Sequence, residues 1–162
     1  MINDFLVYLL EVNPLVQHLG ILLLAMIPFL ETFFGSFVGA FIGVPIVTAA
    51  ISSMIGNWLS VMAIILPFNA LFRMLRERRE AKGKEGFFGK RAKKAQGYYD
   101  KYGVPGLALI APLIASGHIA AFISLAAGAS RGKVILWHTV SIVVWGVLGV
   151  VAGYFGYLAI LQ

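Results

Sequence analysis

The chain has 162 residues, 60% of them hydrophobic and 12% charged, with no cysteine; an ordinary soluble domain runs near ~45–50% apolar and ~25% charged. Its 13 Lys and Arg outnumber 7 Asp and Glu, and eleven of the basic residues fall between Arg73 and Lys101. This pattern excludes a soluble enzyme, a disulfide scaffold, a thiolate metal site and a disordered chain, and leaves a small integral membrane protein with one basic loop.

In chain order, Met1–Asn13 carries Asp4 and Glu11 but no basic residue, so it does not read as a signal peptide. Phe5, Tyr8, Leu9 and Val12 share one face and predict an interfacial helix. It is expected to stop at Asn13-Pro14, because the residue before a proline is steered out of the helical region. Uncharged runs then cover 12–30, 32–72, 102–130 and 134–162. A spanning helix needs about 20 residues, so the run 32–72 must turn back inside the membrane, where a turning backbone has to be buried in protein. The expectation is a re-entrant helical hairpin over 15–50, broken at Pro28 and Gly35, followed by a full span over 51–72.

Arg73–Glu80 continues that span, with Arg73–Glu77 and Arg76–Glu80 at i,i+4 spacing. After the glycine-rich Lys82–Gly86, the stripe Phe88, Ala92, Ala95, Tyr99 and Tyr102 predicts a second interfacial helix. Lys90, Arg91, Lys93 and Lys94 lie on its other faces, where anionic lipid headgroups favour them. The run 102–130 is interrupted at Pro112 and Gly117; a proline inside a helix costs about 3 kcal/mol and frees a carbonyl. If this run dips in and returns, Arg131 and Lys133 stay on the side of the basic loop, as the positive-inside bias prefers. It therefore reads as a second hairpin, and 134–162 as a second span. Gly20–Pro28 also lines up with Gly103–Pro112, with one inserted residue. The predicted fold is a single all-α membrane domain of two inverted repeats, 1–72 and 103–162. Each repeat holds a surface amphipathic helix, a re-entrant hairpin and a transmembrane helix. The loop 73–102 is expected in the cytoplasm and both termini outside.

Glu31 is the acid set among long apolar stretches, beside Pro28 at the presumed hairpin tip. A carboxylate inside a membrane must be paired, solvated or protonated, which suits a proton carrier or a ligand for a cationic headgroup. The ordinary alternative is an acid held near water by a helix N-terminus. Thr32, Ser36, Ser116 and His118 follow the two prolines; they can cap broken helices, or line a polar pocket where the tips meet, with His118 able to take a proton. Arg131, Lys133 and Asn57 are candidate headgroup contacts, and Asn57 can also join a polar path. His18 and His138 read as interfacial. Gly35, Gly39 and Gly43, and the run Gly146, Gly149, Gly153, Gly156, offer small faces for helix packing or a homodimer seam. No metal-ligand spacing, phosphate-cradling loop or nucleophile–base pair is visible, so neither cofactor nor enzymatic activity is expected. The basic loop is explained by membrane topology without nucleic acid.

The segments Ile27-Pro-Phe-Leu-Glu31-Thr and Ala111-Pro-Leu-Ile-Ala-Ser-Gly-His118 resemble those of the small multidrug export protein family, itself similar to the DedA/VTT superfamily. The likeness covers nearly the whole chain, and Gly117-x4-Phe122-x5-Gly128 running on to Trp137 is similar to the second DedA hairpin. The resemblance implies paired re-entrant hairpins, Glu31 as the acidic residue of the first, and location in the cytoplasmic membrane of a prokaryote. It also implies proton-linked transport of a lipid or amphipathic substrate, a lipid phosphate carrier included. Two other functions stay open: a multidrug/H+ exporter of cationic amphiphiles, and a membrane assembly or scaffold protein that transports nothing.

Overall fold

The computed structural model describes residues 13–68, 70 and 87–161. The interfacial helix expected over 1–13 (Asn13 apart), the extension Arg73–Glu80, and the side chains of Lys90, Arg91, Lys93 and Lys94 lie outside the described residues. All regular structure among them is helical: α1 (Pro14–Met26), α2 (Glu31–Phe41), α3 (Ile46–Ile65), α4 (Phe87–Ile114), α5 (Gly117–Ala126) and α6 (Arg131–Leu161). α3 and α6 are long and apolar enough to cross a membrane. At 1.5 Å per residue α1, α2 and α5 reach only about 20, 16 and 15 Å, short of a hydrocarbon core of ~30 Å. The chain forms two compact units, one of Met1–Leu59 with Ile142–Gln162 and one of Ser60–Ser141, the divisions falling within α3 and α6.

In the first unit Asn13 opens α1 instead of only closing what precedes it. Its backbone (φ −47°, ψ 127°) is extended, as a residue before proline must be, and that conformation makes it an N-cap. Asn13 Oδ1 accepts from the Leu15 amide at 2.8 Å, and Pro14 occupies the first turn, where its missing N–H is harmless. The same restriction ends the helix, since Ile27, before Pro28, is extended at ψ 122°. The turn then closes through the amides of Leu30 and Glu31 on the Ile27 carbonyl, with Phe29 (φ 76°) and Glu31 (φ 54°) in the left-handed region. α2 ends at Gly43 (φ 87°), where Val44 N bonds Gly39 O and Gly43 N bonds Ala40 O, a Schellman motif. Pro45 follows and leads into α3.

Close packing in this unit rests on glycine. Gly35, expected as a hairpin break, sits inside α2, where a methyl group would meet Ser53 Oγ at 2.5 Å and Ala25 Cβ at 2.9 Å. Gly39 packs on Ile21 and Ala49, and Gly56 of α3 lies against the Leu22 carbonyl. Gly149 and Gly153 of α6 lie against the Phe33 and Phe37 carbonyls of α2. Around these contacts Ile21, Ala40, Val44, Ala49 and Val150 form the apolar core.

In the second unit α4 breaks at Gly103 (φ 65°, ψ −162°) into stretches 87–102 and 104–114. Pro105 falls in the first turn of the second stretch. Pro112, expected to break the hairpin, lies inside the helix, which runs on to Ile114; the chain turns at Ala115 and Ser116. The reason is visible: the Ala108 carbonyl, which Pro112 cannot serve, accepts from Ser141 Oγ at 2.7 Å. Gly117 opens α5, and Ser116 caps it by accepting from the Ile119 amide at 3.3 Å. α5 ends in a second Schellman motif at Gly128 (φ 90°), with Ala129 N on Ser124 O and Gly128 N on Leu125 O. Leu107, Ala111, Ala115, Ala120 and Ile123 form the core, and Tyr98 and Tyr99 pack the end of stretch 87–102 onto it. Beside them Lys101 Nζ stands 4.9 Å from the Tyr102 ring centre, and its hydrogen bond with Tyr102 holds the ammonium above its ordinary pKa. One local plan thus occurs in both units: a short helix, a break, a second short helix, a Schellman glycine and a long apolar helix.

Candidate functional site

The first unit buries several oxygen-bearing side chains on α2 and α3. Glu31 is 2% exposed and Ser36 not at all, and Thr32, Ser53 and Asn57 are buried too. Ser53 Oγ donates to the Thr32 carbonyl at 2.8 Å and stands 3.3 Å from Thr32 Oγ1, tying α3 to the start of α2. Thr32 and Ser36, one turn apart, both face the glycines of α6. A methyl at Gly146 would stand 3.1 Å from Thr32 Oγ1, and one at Gly149 would stand 3.0 Å from Ser36 Cβ. Ser36 Oγ has no hydrogen-bond partner. Phe33 meets Trp145 edge to face at 5.9 Å, and Phe33, Phe37 and Phe41 stack along α2.

The charge of this neighbourhood follows from the sequence. Residues 1–72 and 134–162 contain no lysine or arginine, so every such side chain of the chain belongs to the second unit. A buried carboxylate in that setting is held by hydroxyl and amide dipoles, by a proton or by a cation. The start of α2 adds a favourable dipole, because Glu31 is its first residue. Asn57, expected among the headgroup contacts, is buried on α3 one turn beyond Ser53, whereas Arg131 and Lys133 are exposed at the start of α6.

In the second unit His118 Nε2 lies 2.9 Å from Ser60 Oγ, and His118 is 8% exposed. Ser116 is occupied as the α5 cap. His138, expected at an interface, is buried, its Nδ1 donating to the Val134 carbonyl at 2.9 Å. His18 is half-buried and bonds the Pro14 carbonyl at 2.6 Å. Among the described residues no three of His, Cys, Asp or Glu gather as metal ligands.

Three residues of consequence escape a reading of the sequence: Ser53, Ser60 and Ser141. The first two have a signal, since Ser53, Asn57 and Ser60 fall at i, i+4 and i+7 and share one face of α3. Ser141 has none of its own; only knowing that Pro112 stays within a helix would send one looking for its donor.

No curated protein and no solved structure matches the chain. The family described as "Putative small multi-drug export protein" matches residues 31–148, from the buried Glu31 through α6 to Leu148. That span takes in Glu31, Thr32, Ser36, Ser53, Asn57, Ser116 and His118, and two apolar helices long enough to cross a membrane accompany it: the chain is a membrane protein belonging to the small multi-drug export protein family.

Proposed function

We propose that the chain exports amphipathic cations across the membrane in exchange for protons, with the Glu31 carboxylate as the shared binding group. One observation carries the reading: an acid, Glu31, buried at the start of α2 within a long apolar stretch of the sequence. Such a group favours a positive occupant, proton or substrate. The family description, which names export, agrees with it. In this reading α1–α2 and the pair formed by residues 104–114 with α5 are re-entrant hairpins of two inverted repeats. Their shortness and their shared Schellman endings support that, and binding then sits where the helices break. A lipid phosphate substrate of the DedA kind ranks second, because the buried candidate side chains of the first unit, Glu31, Thr32, Ser36, Ser53 and Asn57, include no basic group to meet a phosphate.

Reconstitution in liposomes tests this. With a proton gradient imposed, the protein should move a fluorescent cationic dye above empty vesicles, and a protonophore should stop it. Glu31→Gln should abolish the flux. Movement of a labelled lipid phosphate instead of the dye would transfer the assignment to the second reading. If neither moves, the chain is not a transporter of either class.

A further inference from the structure

We propose that His118, hydrogen-bonded to Ser60, carries a second proton in the exchange cycle, so that export of a singly charged cation moves net charge across the membrane. This rests on the transport reading and adds to it a proton site in the second unit.

A proton is a ligand that needs no cavity, only a basic atom and a hydrogen-bonding neighbour. His118 has both: its Nε2 stands 2.9 Å from Ser60 Oγ, and it is 8% exposed while Ser60 is half-buried. Ionisable side chains inside a membrane are costly and mark proton relays, for which imidazole is a common carrier. Local structure does not call for an imidazole at this point. The turn into α5 is closed by Ser116, which takes the Ile119 amide on its Oγ and the Ala120 amide on its carbonyl. A tie between helices needs no titrating group either, as Ser53 shows with Thr32 in the first unit.

The placement of His118 matches that of Glu31. His118 is the only ionisable side chain of residues 103–130, as Glu31 is of residues 19–72. Each stands just past the break of its own unit, Glu31 first in α2 and His118 second in α5. The rest of α5, residues 104–114, and α3 from Ser60 to Ile65 hold no other ionisable side chain. Elsewhere in the described second unit, Tyr98 and Tyr99 pack at the end of stretch 87–102, and Asp100, Lys101, Tyr102, Arg131 and Lys133 are exposed. His138 binds the Val134 carbonyl through Nδ1. Ser60 suits its position: a neutral imidazole nitrogen donates or accepts, an imidazolium only donates, and a hydroxyl can answer both. Ser60 is thus the positioning residue that keeps its bond whether or not the proton is present.

Charge balance gives the consequence. Glu31 alone trades one proton for one monovalent cation, an electroneutral exchange. A second proton on His118, entering as the cation leaves, carries one net positive charge inward, and the membrane potential then drives export.

The test uses the full chain in liposomes loaded with a singly charged cationic dye at equal pH on both sides. Valinomycin and an outward potassium gradient make the interior negative. That potential holds back a leaking cation, so faster dye exit reports electrogenic exchange, and the wild type should show it. His118→Gln, whose amide can still bond Ser60, should export when a proton gradient drives it and lose the response to potential. Ser60→Thr should keep the response that Ser60→Ala weakens. Should His118→Gln fail to fold, the wild-type coupling ratio carries the test. At zero potential the dye gradient in balance with an imposed proton gradient follows its square for two protons and equals it for one. Potential-insensitive export by the wild type, a one-to-one ratio, an undiminished response in His118→Gln, or equal responses of the two Ser60 variants would each overturn the proposal. With proton-driven export intact, any of these leaves the transport reading standing. No dye movement under either force overturns both.

Discussion

Pro112 removes one backbone donor, and its effect can be followed to a single oxygen. The Ala108 carbonyl loses its partner four residues on and instead receives Ser141 Oγ at 2.7 Å, in a buried setting. An unsatisfied buried carbonyl costs about 1–3 kcal/mol, so Ser141→Ala should lower stability by that amount in a thermal melt of the detergent-solubilised protein. The same substitution in a Pro112→Ala background should cost much less, because residue 112 then carries the amide that Ala108 needs. A double-mutant cycle reads the coupling. If the two losses simply add, Ser141 is not the donor that lets α4 run past its proline.

At the scale of elements, the glycines of α6 are spent within the chain. The run that suits a homodimer seam in the sequence is covered in its own unit by α2, with Gly149 and Gly153 set against the carbonyls of Phe33 and Phe37. A carbonyl in a helix cannot step aside as a flexible side chain does, so Gly149→Ala or Gly153→Ala should destabilise the fold by about 1–3 kcal/mol. Gly132, also in α6, has nothing near it. Gly132→Ala should be neutral or stabilising by up to about 1 kcal/mol through helix propensity; equal melting shifts at the three positions would refute the packing argument. These contrasts also show what the sequence can and cannot carry. Breaks set by local chemistry are legible in it: Asn13-Pro14 and Ser116-Gly117 mark helix ends by capping and by dihedral restriction. Glu31, Thr32 and Ser36 stand out because polar residues are rare in apolar runs. Whether a proline or glycine breaks a helix depends on what packs against it, which is why Pro112 and Gly35 read as breaks yet lie within helices. For the same reason Gly43 reads as a packing residue and proves to be a left-handed helix stop.

At the scale of the whole molecule the question is which side of the membrane each break faces, and the absence of cysteine makes it accessible, since every introduced thiol is the only one. α1 and α2 together hold enough residues to cross the membrane as one broken span, or can dip in and return as a hairpin. The two arrangements place the start of α1 and the start of α3 on opposite sides or on the same side. Leu15 and Thr48 are exposed at those two points. In the hairpin arrangement Leu15→Cys and Thr48→Cys should both react with an impermeant maleimide added to intact cells. Gln96 and Ser130, exposed on either side of the second helix pair, should as cysteines react only after the membrane is opened. The basic residues favour this outcome, because all 13 fall between Arg73 and Lys133 and the positive-inside bias then puts both ends of the second pair in the cytoplasm. A broken span at α1–α2 would label Leu15→Cys and Thr48→Cys from opposite sides. It would also place Glu31 partway along a crossing helix instead of at the tip of a hairpin, and the two inverted repeats would fall with that result.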